Sequence, residues 1–181
     1  MLKIENITLK EFKKDIYGIY VTLFPKDEQK YYGTIKRLYK KGIATLYKIT
    51  LDDKTIGFFM IEKLKDYPYY IDYFAIYKEY QNKGYGSKAF RLLIDTIIKE
   101  DGLIGEIEEI DENNPITIDR FEFYKRLGFR DFGIKYELFN VVFMPIGIIS
   151  ETDKEKLLSI YYDYFVTSAG KKLLKRNYKI L

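Results

Sequence analysis

Gln81-Asn82-Lys83-Gly84-Tyr85-Gly86-Ser87 joins an apolar, strand-like run (residues 69–77) to an amphipathic helical run, and its reading decides the rest of the chain. A glycine-containing turn that opens a helix presents N–H groups no helical carbonyl can reach, beside the positive end of the helix dipole. Such a place suits a phosphate. Taken alone, Gly84-x-Gly86 is as readily a plain tight turn. The dinucleotide-binding spacing needs a third glycine where the chain has Ala89, and the Gly-Lys-Ser/Thr of a Walker A loop is missing. What remains is a shorter phosphate cradle with Gln81 two residues before Lys83.

Working outward, Ala89, Leu92, Leu93, Thr96 and Ile97 form the buried stripe of the helix, Asp101-Gly102 ends it, and residues 103–110 read as the next strand. Strand, turn, helix and strand make a βαβ unit, which implies one parallel strand pair. Upstream, Leu2 and Ile4 mark a short strand and Thr8 caps a helix to about Leu23. Pro25 then opens a second helix, with Asp27 and Glu28 in its first turn and Gly42 at its end. Residues 44–51 and 55–62 form a hairpin about Asp52-Asp53-Lys54. Downstream of Asn113-Asn114-Pro115, a helix carries Ile118, Phe121, Tyr124 and Leu127 as far as Gly128. Residues 129–132 and 136–144 read as two closing strands. Thr152-x-x-Glu155 is a capping-box pattern before a stripe of Leu157, Ile160, Tyr161, Tyr164 and Phe165. After Gly170 come Lys171, Lys172, Lys175, Arg176 and Lys179 with no acidic residue, a pattern more typical of a solvated helix face than of a polyanion site.

Composition narrows the chemistry. A chain of 181 residues, 47% hydrophobic and 32% charged, is expected to be globular. With no cysteine and no histidine, it offers no disulfide, no Cys/His zinc site, no cysteine nucleophile and no Ser-His pair. No metal site is expected, and catalysis falls to carboxylates, Tyr, Lys, backbone dipoles or a bound cofactor. A net charge of +4 is too small to argue for nucleic acid. The apolar runs are too short to span a bilayer and no secretory signal is visible, so a cytoplasmic protein without a membrane partner is expected.

Phe74-Ala75-Ile76 followed by Gln81-Asn82-Lys83-Gly84-Tyr85-Gly86 resembles motif A of the GCN5-related N-acetyltransferases, Gln/Arg-x-x-Gly-x-Gly/Ala. Arg120-Phe121-Glu122-Phe123-Tyr124-Lys125-Arg126-Leu127-Gly128-Phe129 resembles that family's motif B, a helix ending Tyr-x-x-x-Gly-Phe. The resemblance implies a mixed α/β fold. Its central sheet would be mostly antiparallel with one splayed parallel pair, flanked by helices, across residues 1–145. Residues 146–181 would be a C-terminal helical extension with a basic tail. It also implies acetyl-CoA binding, with the pyrophosphate on the N–H groups of Asn82, Lys83, Gly84, Tyr85, Gly86 and Ser87, and the pantetheine arm along Phe74, Ala75 and Ile76. Thr117 stands where many members have a cofactor-binding asparagine.

The expected activity is acetyl transfer to a primary amine of a small molecule or peptide, by a monomer or homodimer. The alternative is a non-catalytic acyl-CoA-binding module. By resemblance Tyr124 is the acid for the departing thiolate. Glu106 and Glu108, two apart on one strand, share a face and are candidates to draw in a cationic amine and relay its proton; a solvated strand end is the equal alternative.

Overall fold

The computed structural model describes residues 1–26 and 28–181, and the chain divides into two compact units. The first comprises residues 1–63 and 71–99, the second residues 64–70 and 100–181.

In the first unit β1 (Leu2–Asn6) pairs antiparallel with β2 (Ala44–Leu51), which pairs antiparallel with β3 (Lys54–Glu62); β4 (Tyr69–Ile76) lies beside β3 and gives its last six residues to this unit. The β2–β3 turn is Asp52-Asp53, both at positive φ (48° and 63°), the backbone a two-residue hairpin demands and one that aspartate tolerates. Thr8 and Glu11 form a capping box at the start of α1 (Leu9–Glu11), which passes through a π-helical stretch, Phe12–Ile16, into α2 (Tyr17–Leu23). Phe12, Ile16 and Tyr20 drop onto Leu46, Phe58 and Met60 of the sheet, and these side chains are buried from water. At roughly 1.5–3 kcal/mol for each large apolar side chain removed from water, this cluster holds the unit together.

The next helix departs from expectation. It begins at Tyr32, not Pro25, as α3 (Tyr32–Lys40), burying Ile35 and Leu38; of the expected first turn, Asp27 lies outside the described residues. Gln29 explains part of the difference, because its amide donates to the carbonyls of Val21 (3.0 Å) and Phe24 (2.6 Å), tying the segment back to the end of α2.

After β4 a single 3-10 turn, Lys78–Tyr80, leads to α4 (Tyr85–Leu93), which continues as a π-helical stretch, Ile94–Ile98. Its buried residues are Ala89, Phe90, Leu93 and Ile98, whereas Thr96 is exposed. A π turn takes more residues than 3.6, so the apolar stripe slips along the chain and the spacing read from sequence fails there.

In the second unit Tyr69 and Tyr70 of β4 pair parallel with Leu103 and Ile104 of β5 (Leu103–Glu108), the parallel pair that the βαβ order implied. Antiparallel pairs complete this unit: β5 with β8 (Val141–Ile148), β8 with β6 (Arg130–Asp131) and β7 (Tyr136–Leu138), and β7 with β9 (Tyr178–Ile180). Residues 136–144 are therefore not one closing strand. Phe139 (φ 51°) and Asn140 (φ 67°) turn the run into the β7–β8 hairpin, a turn hidden in sequence because its first residue is apolar.

α5 (Pro115–Arg126) starts with Asn114 as cap and proline in the first turn. α6 (Lys154–Ala169) buries Leu157, Ile160, Tyr161, Tyr164 and Phe165, the stripe its spacing implied. Its cap is Asp153, which accepts from the N–H groups of Glu155 and Lys156, in place of the expected Thr152. The basic tail is largely the solvated helix face that was expected, with a closing strand that was not. It forms α7 (Lys171–Asn177), anchored by buried Leu174, and then β9, while Lys171, Lys172, Lys175, Arg176 and Lys179 remain exposed. Among the described residues no helix is long and apolar enough to cross a membrane.

Candidate functional site

The glycine turn lies wholly in the first unit. Gln81 is extended, Asn82 (φ 59°) and Gly84 (φ 76°) are left-handed, and Gly84 is the N-cap of α4. Gly84 supplies no side chain to the helix start, and the first amide with an acceptor in the helix is Lys88, bonded to Gly84 O at 3.2 Å. The N–H groups of Tyr85, Gly86 and Ser87 precede it and have no carbonyl one turn back. Two side chains hold the turn in shape. The Gln81 amide donates to the Ile76 carbonyl at 2.8 Å, and Lys83 Nζ donates to the Glu79 carbonyl at 2.7 Å while lying 5.8 Å from the centre of the Tyr80 ring. The turn therefore combines an uncapped helix start with a positioned ammonium, an arrangement suited to a phosphate group.

The side chains of the preceding strand are engaged in packing. Phe74 stacks on Phe59 (4.8 Å between centroids) and meets Phe90 edge-on (4.6 Å), Ala75 packs against the apolar cluster under the helices, and Ile76 is buried.

The other predicted residues belong to the second unit. Glu106 and Glu108 alternate with buried Ile107 on β5, as expected, but they have different surroundings. Glu108 accepts from the Arg120 guanidinium of α5 at 2.7 Å. Glu106 accepts from Tyr70 Oη at 2.5 Å and lies among phenols. Burial first, with the Glu106 charge adding, pushes Tyr136 and Tyr161 well above the ordinary phenol range. The same two causes push Tyr178 up to about 12. Tyr124 is also pushed up to about 12, by burial first; Arg120 pulls it down and Glu106 pushes it up. Its ring packs edge-on against Phe129 at 5.1 Å, and the Phe129 N–H bonds the Tyr124 carbonyl across the turn at Gly128 (φ 93°). Thr117 is buried, and its hydroxyl accepts from Asp111 N–H (3.0 Å) and lies 2.8 Å from the Asn114 carbonyl, stitching the loop before α5.

One cluster had no prominent sequence signal. In the first unit Lys30 Nζ sits between Glu62, at 2.9 Å, and Asp72, with side-chain exposures of 1% for Glu62 and 6% for Asp72. The two acids are 32 and 42 positions from Lys30 in sequence. The only hint was an acid closing the apolar run Phe58-Phe59-Met60-Ile61-Glu62 and another inside Tyr70-Ile71-Asp72-Tyr73, where unpaired acids are not expected.

The sequence profile of the acetyltransferase (GNAT) family matches residues 13–129. A search of curated proteins by sequence returns no match. Among solved structures, the fold is similar to that of a GNAT-family protein from Bacteroides thetaiotaomicron (TM-score 0.77, 20% identity, covering 93% of this chain and 98% of that one). It is similar too to the ribosomal-protein alanine N-acetyltransferase of Escherichia coli (TM-score 0.63, 17% identity, 85% and 97% covered). A third is a GNAT acetyltransferase from Elizabethkingia anophelis with acetyl-CoA bound (TM-score 0.60, 16% identity, 82% and 97% covered).

Proposed function

Because the chain belongs to the acetyltransferase (GNAT) family, we propose that it transfers an acetyl group from acetyl-CoA to a primary amine by direct attack, without a covalent enzyme intermediate. The observation that carries the reading is the uncapped start of α4 at left-handed Gly84. Acetyl-CoA is the cosubstrate and supplies an activated thioester. The N–H groups from Asn82 to Ser87 seat its pyrophosphate, Lys83 adds charge, and each such contact at an exposed helix start contributes about 0.3–1 kcal/mol. The backbone of Phe74, Ala75 and Ile76 serves the pantetheine arm as an added strand would, and the Ile76 N–H serves the charge that develops on the thioester oxygen.

In the second unit Tyr124 carries the proton that the departing sulfur takes up. A phenol near 12 is a weak acid toward a thiolate near 8.5, uphill by roughly 5 kcal/mol for full transfer. Tyr124 therefore works chiefly as a hydrogen-bond donor. Glu106 takes the proton of the incoming amine through water, whereas Glu108, paired with Arg120, and Thr117, stitched to its own loop, position α5.

Calorimetric titration with CoA should show saturable binding, and no heat at millimolar ligand would remove the proposal. Thiol release with mixed amines then separates an enzyme from a non-catalytic acyl-CoA-binding module. For Tyr124→Phe, kcat should fall by about tenfold with an unchanged melting temperature, less than a well-matched acid would lose. The wild-type advantage should persist at every pH below about 12, because the phenol stays protonated there. Equal rates for the two proteins would show that the hydroxyl has no part in the reaction.

A further inference from the structure

The Lys30–Glu62–Asp72 cluster is poorly explained as a staple. Two carboxylates and an ammonium are taken out of water together, and such buried ion groups rarely stabilise more than apolar residues of the same volume. Burial, with the Glu62 charge alongside, holds the Asp72 carboxyl well above the usual carboxylate range, and its Oδ2 is buried with no hydrogen-bond donor among the described residues. The acids stand on the rigid strands β3 and β4, whereas their cation comes from the segment between α2 and α3. Gln29 ties that segment to the Val21 and Phe24 carbonyls, and Lys30 ties it to two phenols. The Lys30 N–H donates to Tyr20 Oη (2.7 Å) and Tyr73 Oη (3.1 Å), and Tyr73 Oη donates to the Glu28 carbonyl. The ammonium also lies 5.8 Å from the centre of the Tyr73 ring, so the site has an aromatic wall as well as two acids. The Lys30 side chain is 18% exposed, a thin cover.

We propose that Glu62 and Asp72 are a recognition site for a primary alkylammonium group of the acceptor, filled in this conformation by the ammonium of Lys30. The inference rests on the acetyl-transfer reading for the word acceptor. Asp72 lies two residues, about 7 Å of strand, before Phe74, where that reading places the pantetheine arm. An amine held between these acids stays charged, as Lys30 does with its pKa raised by Asp72 and Glu62 against burial, and so cannot attack. The site therefore recognises one amine while another reacts. The acceptor class is a molecule with two amino groups, a diamine or a lysine-like compound, that displaces Lys30 on binding.

The test uses Lys30→Ala and n-butylammonium chloride, the side chain that the substitution removes. Butylammonium should raise the melting temperature of Lys30→Ala by several degrees, tetramethylammonium at equal ionic strength should not, and adding Asp72→Asn should abolish the response. Should Lys30→Ala not fold, hydrogen exchange on the wild-type protein decides: 1,4-diaminobutane should speed exchange of the Lys30 amide about tenfold by freeing the segment. No selective response in the variant, or unchanged exchange in the wild type, overturns the inference. A CoA titration of the same samples separates the two readings, since intact CoA binding without an ammonium response sinks this one alone.

Discussion

Gly57→Ala is expected to cost at least about 3 kcal/mol of stability, the upper end of what overpacking a core costs. Gly57 is buried on β3 at Ile49, where the β2–β3 register is irregular. A Cβ built there would stand 2.3 Å from the Ala75 carbonyl oxygen and 3.2 Å from Ile76 Cα, both backbone atoms of β4. A side chain can rotate away from such a clash, but a strand cannot. β3 and β4 would have to separate where Tyr77 N–H bonds the Ile56 carbonyl at 2.8 Å. Against a typical total of 5–15 kcal/mol this is a large fraction, and the strand that moves is the one proposed to carry the pantetheine arm. Urea unfolding measures the effect, and a loss below about 1 kcal/mol would mean that the two strands are not as closely apposed as described.

Gly84→Val should do the opposite, sparing the fold and removing the ligand. Nothing lies within 4 Å of a Cβ at Gly84, so no packing is disturbed. What resists the substitution is the backbone, since φ of 76° costs a residue with a side chain roughly 1–2 kcal/mol. Relaxing that strain turns the amides of the helix start away from their common focus. CoA affinity should fall about 100-fold, equivalent to ~2.8 kcal/mol, with a small change in melting temperature. If calorimetry finds CoA affinity intact, the turn is structural and the pyrophosphate sits elsewhere. The two glycines form a matched pair: one is required by space, the other by backbone angle.

Much of the fold was legible where information is local. The Thr8 cap, the turn about Asp52-Asp53, and the 157-160-161-164-165 stripe each specify structure through contacts a few residues apart, and each is found as read. Legibility failed where a local rule was overridden. The π turn after Leu93 displaced a stripe that assumed 3.6 residues per turn, and Phe139, apolar yet left-handed, hid a hairpin inside a hydrophobic run. Asp153 took the cap position from its neighbour Thr152. For the candidate site, the shared face of Glu106 and Glu108 followed from strand alternation. That one meets Arg120 and the other a nest of phenols did not, because those partners come from other elements.

The sequence by itself determined the family of this protein, through a glycine turn and a Tyr-x-x-x-Gly-Phe ending whose residues act within single turns of chain. It also excluded thiol and imidazole chemistry by composition. Only the tertiary structure decided which charges are paired and which are buried. Lys30, Glu62 and Asp72 are dispersed along 43 residues, each unremarkable as a charged side chain in water. Their significance comes from desolvation, which acts on them only once β3, β4 and the segment before α3 have closed around them.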